Sequence, residues 1–517
     1  MYRNDKVLIG KSNDKELSIL LEKANRHGLI TGASGSGKTV TSKVMAESFS
    51  DAGIPVFLAD VKGDMAGTAL QGEASEALDS RLQKLGINDF EYKSFPVRFW
   101  DIFGDYGHPI RTTLDSVGPE ILSIMLGLTE AQEGVLTVVF KIAKDNDWEL
   151  DDIKDLRLLL QYVGDNREQF TTSYGNVTTQ SVGVIQRCLL ALENQGGDKF
   201  FGQPELDIND FLVTDANGKG MINILHAVKL FESPDLFASF LLWLLTNLYT
   251  KMPEVGDLDK PKMVFFFDEA HLLFNGMPEY RLKRIIQVVR LIRSRGIGLY
   301  FISQSPADIP SEVIAQLGNR VQHNLRAYTP TELRTVKAAA DSFRANPEFD
   351  TYDAILNLGT GEALISFQNE NGEPEIVQKA TILPPQSKMG VIDDTSRNKI
   401  INSSSLLGKY DEAIERESAY EEIEEINRLI KEKYEQEIAE KEQKKQEELE
   451  AKEAEKQAKL EEKAKKEAER EAEKKKREEE KKKKNSIEYK LGKKVFNSAS
   501  NKVINKGLNA IFKNFFK

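Results

Sequence analysis

Residues 28–39 read GLITGASGSGKT, and this stretch constrains the chain more than any other. An apolar strand end, Leu29-Ile30-Thr31, runs into Gly32-x4-Gly37-Lys38-Thr39, and a predicted helix, Val40 to Phe49, follows. Glycines at this spacing let backbone N–H groups turn inward, and the helix N-terminus adds the positive end of its dipole. The result is a cradle for an anion with several negative oxygens. Gly32, Ala33, Ser34, Gly35, Ser36, Gly37, Lys38, Thr39 and Val40 are its candidate phosphate-binding residues. Lys38 is placed to neutralise β- and γ-phosphate charge, and the Thr39 hydroxyl to ligate Mg²⁺. The implied ligands are ATP and Mg²⁺. A Gly-rich turn without this use is the alternative. No Asn-Lys-x-Asp base-reading motif accompanies the loop, which disfavours a GTPase.

Residues 263–269 read MVFFFDE. Five apolar residues before an acid match a buried parallel strand, and ligands of such sheets bind at the carboxyl ends of the strands. Asp268 is then the Mg²⁺ carboxylate, binding the ion either directly or through its bound water, and Glu269 is placed to polarise the water that attacks the γ-phosphate. A further strand, GLYFIS at 298–303, ends in Gln304, which reads as a γ-phosphate reporter; an ordinary turn, SQSP, is the alternative. Asp60, after PVFLA, reads either as support for the magnesium site or a subunit contact, or as a loop cap; another strand end, RFWD, carries Asp101. The basic stretch RLKRIIQVVRLIRSR ends at Arg293 and Arg295, and Arg320 follows in GNRVQHNLRAYTP. Each of these arginines is a candidate for a charge supplied across a subunit boundary; a solvated helix face accounts for most of the basic residues of the stretch.

Charge divides the chain into three parts. Residues 1–410 carry a net −12, residues 411–480 a net −9 and residues 481–517 a net +10. Polyanion attraction must therefore come from the tail or from local clusters. The stretch from Asp411 to Lys484 has no Gly or Pro and is rich in Glu, Lys, Ala and Gln, so it predicts a long helix. Its apolar stripe fades beyond Ala439, which favours a solvated single helix used as a spacer over a coiled coil. The tail spaces Leu491, Val495, Val503, Leu508, Ile511, Phe512 and Phe515 among lysines at helical intervals. It reads as an anchor for a membrane surface, nucleic acid or a protein partner, or as a segment that folds back on its own protein or a neighbouring subunit. One cysteine, Cys188, excludes an internal disulfide framework and fits a cytoplasmic location. The N-terminus does not read as a signal peptide. The uncharged stretch Leu236–Thr250 is too short to span a bilayer.

The expected organisation is α/β. A first part of a nucleotide-binding core covers 1–118, a helical insertion 119–202, the second part of the core 203–409, a long charged helix 410–484 and a basic amphipathic tail 485–517. GASGSGKT, LADVKGDMAG, FWDIFGDYGHPIRTT, LTEAQEGVL, LQYVGDN, FFFDEAHLLF, RSRGIGLYFISQSP, LGNRVQHNLRAYTP and PPQSKMG, in this order, resemble the HerA/FtsK class of additional-strand P-loop ATPases. They are most similar to a HerA-like subfamily without the N-terminal β-barrel. The resemblance implies a RecA-like core, assembly into a hexameric ring, and ATP-driven movement on DNA as a translocase or helicase. It carries Lys38, Thr39, Asp268, Glu269 and Gln304 into the roles given above. It makes Arg293, or its neighbour Arg295, the trans-acting arginine. The alternative is a peripheral-membrane or protein-moving ATPase that does not act on nucleic acid.

Overall fold

A computed structural model describes residues 1–256, 258–274 and 279–474. Among them the strands are β1 (Tyr2–Arg3), β2 (Lys6–Ser12), β3 (Lys15–Leu20), β4 (Gly28–Thr31), β5 (Val56–Asp60), β6 (Val97–Asp101), β7 (His108–Pro109), β8 (Ile222–His226), β9 (Met263–Phe267), β10 (Ile297–Ser303), β11 (Asn319–Gln322), β12 (Glu362–Ser366) and β13 (Gln378–Ile382). They form one mixed sheet in the order β1-β2-β13-β12-β11-β4-β10-β9-β5-β8-β6-β7, with β3 also paired to β2. From β11 to β7 every neighbouring pair is parallel. From β11 outward through β12, β13 and β2 to β1 and β3 every pair is antiparallel.

The central strands are apolar because both sheet faces are covered. Every residue of β5, β9 and β10 is buried. On one face the helix Lys38–Asp51 packs Met45, Ala46 and Phe49 against Ile30, Val264, Phe266 and Tyr300. On the other, Phe57 stacks near Phe240 of the helix Pro234–Lys251, with ring centroids 6.5 Å apart. That helix is the uncharged stretch noted in the sequence. Leu236, Phe237, Phe240, Leu241, Leu244, Leu245 and Leu248 are all buried along it, so it is a core helix. Among the described residues no helix is long and apolar enough to cross a membrane.

The sheet is interrupted between β7 and β8 by helices Leu114–Leu126, Glu130–Asp145, Ile153–Asp165, Arg167–Tyr174 and Thr179–Leu192. Polar caps start two of them: the Thr113 hydroxyl accepts from the Ser116 amide, and Asp152 accepts from the amides of Lys154 and Asp155. These helices belong to the same compact unit as the sheet, Met1–Ala419.

The long charged helix begins at Ala419, not near residue 410, and is described to Lys474. Specific contacts hold the preceding residues out of helix. Tyr410 is buried, and its hydroxyl donates to Asp210 at 2.5 Å and accepts from the Asp207 amide at 3.1 Å. Arg416 donates twice to Asp151, at 3.2 and 3.0 Å, and the Ser418 hydroxyl donates to Asp155 at 2.6 Å. Residues 410–419 are thus a strap that runs from the segment before β8, at Asp207 and Asp210, to the helical insertion, at Asp151 and Asp155. The second unit starts at Tyr420. Ile438 and Leu449 of its helix are exposed. The expected basic tail, 485–517, lies outside the described residues.

Candidate nucleotide site

The site is assembled from the carboxyl ends of four neighbouring parallel strands, β4, β10, β9 and β5. Their polar tips differ because the apolar core stops there. β4 leads into the phosphate loop, β9 into Asp268 and Glu269, β10 into Gln304, and β5 into Asp60 and Lys62.

The phosphate loop curls as its glycines permit. Gly32, Gly35 and Gly37 have φ of 155°, 74° and 117°. A Cβ on Gly32 would stand 2.5 Å from the His323 Cβ and 2.7 Å from the Ser36 Oγ, so this turn accepts no side chain. The loop is pinned at both ends: the Ala33 amide donates to the Asn324 carbonyl at 2.8 Å, and the Gly361 amide to the Ser36 carbonyl at 3.0 Å. Gly37 is the N-cap of the 14-residue helix Lys38–Asp51, and no acid lies in the first turn. The amides of Lys38, Thr39 and Val40 are therefore first-turn donors facing an anion-compatible end. Ser34 and Gly35 are exposed at the tip, while Thr39 and Val40 are partly buried.

Lys38 is buried, and its ammonium donates to the carbonyls of Gly32 and Ala33 at 2.6 and 3.2 Å. Burial lowers its pKa, and the charge of Lys62 adds to that effect. The Ser36 hydroxyl is buried with no hydrogen-bond partner among the described residues. A glycine cradle, a buried hydroxyl unmatched among the described residues and a lysine hydrogen-bonded to loop carbonyls together fit a bound polyphosphate.

Asp268 and Glu269 stand together at the end of β9. Burial pushes the Asp268 carboxyl up to about 6; Lys62 pulls it down and the Glu269 charge raises it further. A carboxylate such as this offers the oxygen donors that a hard divalent cation prefers. Glu269 is buried and has a left-handed backbone, φ 49° and ψ 45°. Its Oε2 lies 3.5 Å from Gln304 Nε2 and 3.4 Å from His271 Nδ1. Its Oε1 lies 3.3 Å from Lys62 Nζ. Gln304 is thus beside the acid pair, at the strand tip where the sequence put it.

The other candidates fall elsewhere. Asp60 caps its own loop, accepting from the amides of Gly63 at 2.8 Å and Met65 at 3.0 Å. Asp101 does the same for Phe103, Asp105 and Tyr106. Arg320 gives its guanidinium to three backbone carbonyls, of Leu317, Ser342 and Ile314. Arg293 and Arg295 form a single turn before β10, at the end of that strand opposite Gln304. Arg295 lies over the Tyr249 ring, 5.1 Å from its centroid.

His323 and Lys62 escaped the sequence reading. His323 is fully buried under the phosphate loop; Nε2 pairs with the Thr41 hydroxyl and Nδ1 with the Glu362 carbonyl, each at 2.9 Å. Burial lowers its pKa to about 4, so the imidazole is neutral. Both residues sit in stretches that carried the family resemblance, but neither has a neighbour in sequence that marks its role.

Residues 5–513 match the family described as Helicase HerA-like C-terminal. The chain belongs to this family. Among curated relatives, the HerA-like chain is 23% identical over 368 residues to the "DNA double-strand break repair helicase HerA" of Sulfolobus acidocaldarius, covering 69% of this chain and 66% of that protein. It is 23% identical over 397 residues to the protein of the same name from Pyrococcus furiosus, covering 71% and 68%. The HerA-like chain thus matches about two thirds of each relative's length. Among solved structures, the plasmid coupling protein TrwB in complex with the non-hydrolysable GTP analogue GDPNP shares its fold, with a TM-score of 0.50 at 12% identity over 77% of this chain and 92% of that one. The fold is a RecA-like P-loop NTPase core with a helical insertion.

Proposed function

We propose that this HerA-like chain is an ATP-hydrolysing motor that assembles into a ring, hexameric in the simplest case, and moves along DNA. The observation that carries the reading is the buried Glu269, flanked by Asp268 and set between Lys62 and Gln304 at the mouth of the phosphate loop. Membership of a family whose curated relatives are named as helicases supports the DNA substrate.

Within this reading the amides of residues 32–40 and the Lys38 ammonium bind and orient the β- and γ-phosphates of ATP. Lys38 leaves the carbonyls of Gly32 and Ala33 to do so. Thr39 and Asp268 hold Mg²⁺, which when bound neutralises phosphate charge during transfer. Glu269 accepts the proton of the attacking water. Gln304, beside it, senses whether the γ-phosphate is present. Arg293 serves the neighbouring subunit's site, because it lies at the far end of β10 from its own. The basic tail supplies salt-dependent contacts to DNA phosphates.

The test is steady-state ATP hydrolysis with and without DNA at low, stated salt, with Glu269→Gln as the dead control. Stimulation by DNA that is lost in E269Q is the expected result. Thr39→Ala and Asp268→Asn should each abolish Mg²⁺-dependent turnover; if both leave hydrolysis intact, the site is misassigned. Hydrolysis indifferent to DNA favours a second reading, a protein-moving or peripheral-membrane ATPase. The net charge of +10 on residues 481–517 also suits an anionic membrane surface.

A further inference from the structure

Glu269 is held by three side chains from three places in the fold. Gln304 comes from β10 and His271 from the turn after β9; both approach Oε2. Oε1 meets Lys62, from the loop after β5. That loop is itself fixed. The Asp60 carboxylate closes it through the amides of Gly63 and Met65, and Gly63 turns it with φ 77°. The Gly67 amide ties its far end to the Gly390 carbonyl at 3.0 Å.

The charges around the acid pair explain the pairing. Lys38 is turned toward carbonyls of its own loop. Lys62 instead faces both acids: burial opposes its charge, but Asp268 and Glu269 together hold its pKa above the usual lysine value. A general base must present one lone pair along one direction, and a small misplacement costs a large factor in rate. A carboxylate gripped through one oxygen alone can rotate about its last bond. Gripped through both, it cannot.

We propose that Lys62 is a positioning residue for Glu269, fixing the carboxylate through Oε1 so that its other oxygen stays in register with Gln304 and the attacking water. The proposal rests on Glu269 being the base of ATP hydrolysis. It gives the Asp60 loop cap a purpose beyond folding, since Asp60 sets where Lys62 stands.

The experiment compares Lys62→Met and Lys62→Arg in the full chain. The Lys62 side chain is 51% exposed, so either variant should fold. K62M should lower kcat roughly 10- to 100-fold while KM for ATP stays within about threefold. K62R keeps the charge and hydrogen-bond donors, and should recover to within about fivefold of the wild type. In an E269Q background, adding K62M should leave the affinity for a fluorescent ATP analogue unchanged, because the lysine acts through the glutamate. Three results overturn the proposal: unimpaired kcat in K62M, K62R as poor as K62M, or an affinity loss on adding K62M to E269Q. The last would make Lys62 a direct phosphate ligand. A wild-type chain that hydrolyses no ATP would instead overturn the base reading, and this proposal with it. Normal wild-type turnover beside an unimpaired K62M would overturn this proposal alone.

Discussion

Glu47 offers the sharpest test of how the phosphate-loop helix is held. It lies on the helix Lys38–Asp51, is 2% exposed, and accepts three hydrogen bonds from one segment. The Gln386 amide donates at 2.8 Å, the Ser387 amide at 3.1 Å and the Ser387 hydroxyl at 2.5 Å. Glu47→Ala strands all three donors. At about 1 kcal/mol each, the low end for a buried unsatisfied group, and about 0.8 kcal/mol for each lost methylene, the cost is roughly 4 kcal/mol. For a unit of Met1–Ala419, an unfolding entropy of about 2.1 cal/mol/K per residue turns this into a Tm lower by about 5 °C. Glu47→Gln keeps one acceptor oxygen and should cost about 1–2 kcal/mol. Its effect should also depend on pH. Burial raises the Glu47 pKa, against the pull of the Ser387 hydroxyl and the two amides. A carboxyl raised in the folded state gives stability that is full below its unfolded pKa and is lost as pH rises through the folded value. Glutamine cannot ionise, so the E47Q penalty should shrink from acid to neutral pH. Calorimetric scans at a series of pH values measure both effects. A shift below 1 °C for E47A, or a penalty for E47Q that grows with pH, would refute the reasoning.

Gly32→Ala should push the new Cβ against His323 and Ser36, at about 2 kcal/mol, and weaken binding of a fluorescent ATP analogue roughly 30-fold; unchanged affinity would mean the loop rearranges freely. Asp151→Ala removes the acceptor of two Arg416 bonds and of one from Gln203, so limited trypsin digestion should cut after Arg416 several-fold faster, and an unchanged cutting rate would mean the strap is held elsewhere. Arg293→Ala and E269Q should each lack turnover alone, whereas mixed rings pair an intact Glu269 with a neighbour's intact Arg293 and regain it. A mixture as inactive as its parts would remove Arg293 from the trans role.

The core was readable because parallel strands buried on both faces leave unbroken apolar runs. MVFFF and GLYFIS needed no alternation to be recognised, and the residues that end them are polar because the core ends there. The antiparallel extension through β13, β2 and β3 was not anticipated. KVLIGKS and KELSIL are short and mixed, and β13, the strand that joins KVLIGKS to the rest of the sheet, lies hundreds of residues away. Asp60 and Asp101 were ambiguous for a physical reason: a strand-end acid that binds metal and one that closes its own turn have the same sequence. Lys62 and His323 act through partners distant in the chain, which no local pattern records. The late start of the long helix has the same origin. Residues 411–418 have helix-compatible composition, but Tyr410, Arg416 and Ser418 find better partners on Asp210, Asp151 and Asp155.

β10 is hydrogen-bonded along both edges, to β4 and to β9, and runs from the turn of Arg293 to Gln304. Seven residues at about 3.3 Å each give a rod of roughly 23 Å. Such a strand resists both buckling and stretching, so under the proposed reading it would couple its two tips. In the ring proposed above, that coupling would join each pocket to the arginine proposed for the next. The order of firing would then be written into a single strand, with no separate messenger between subunits.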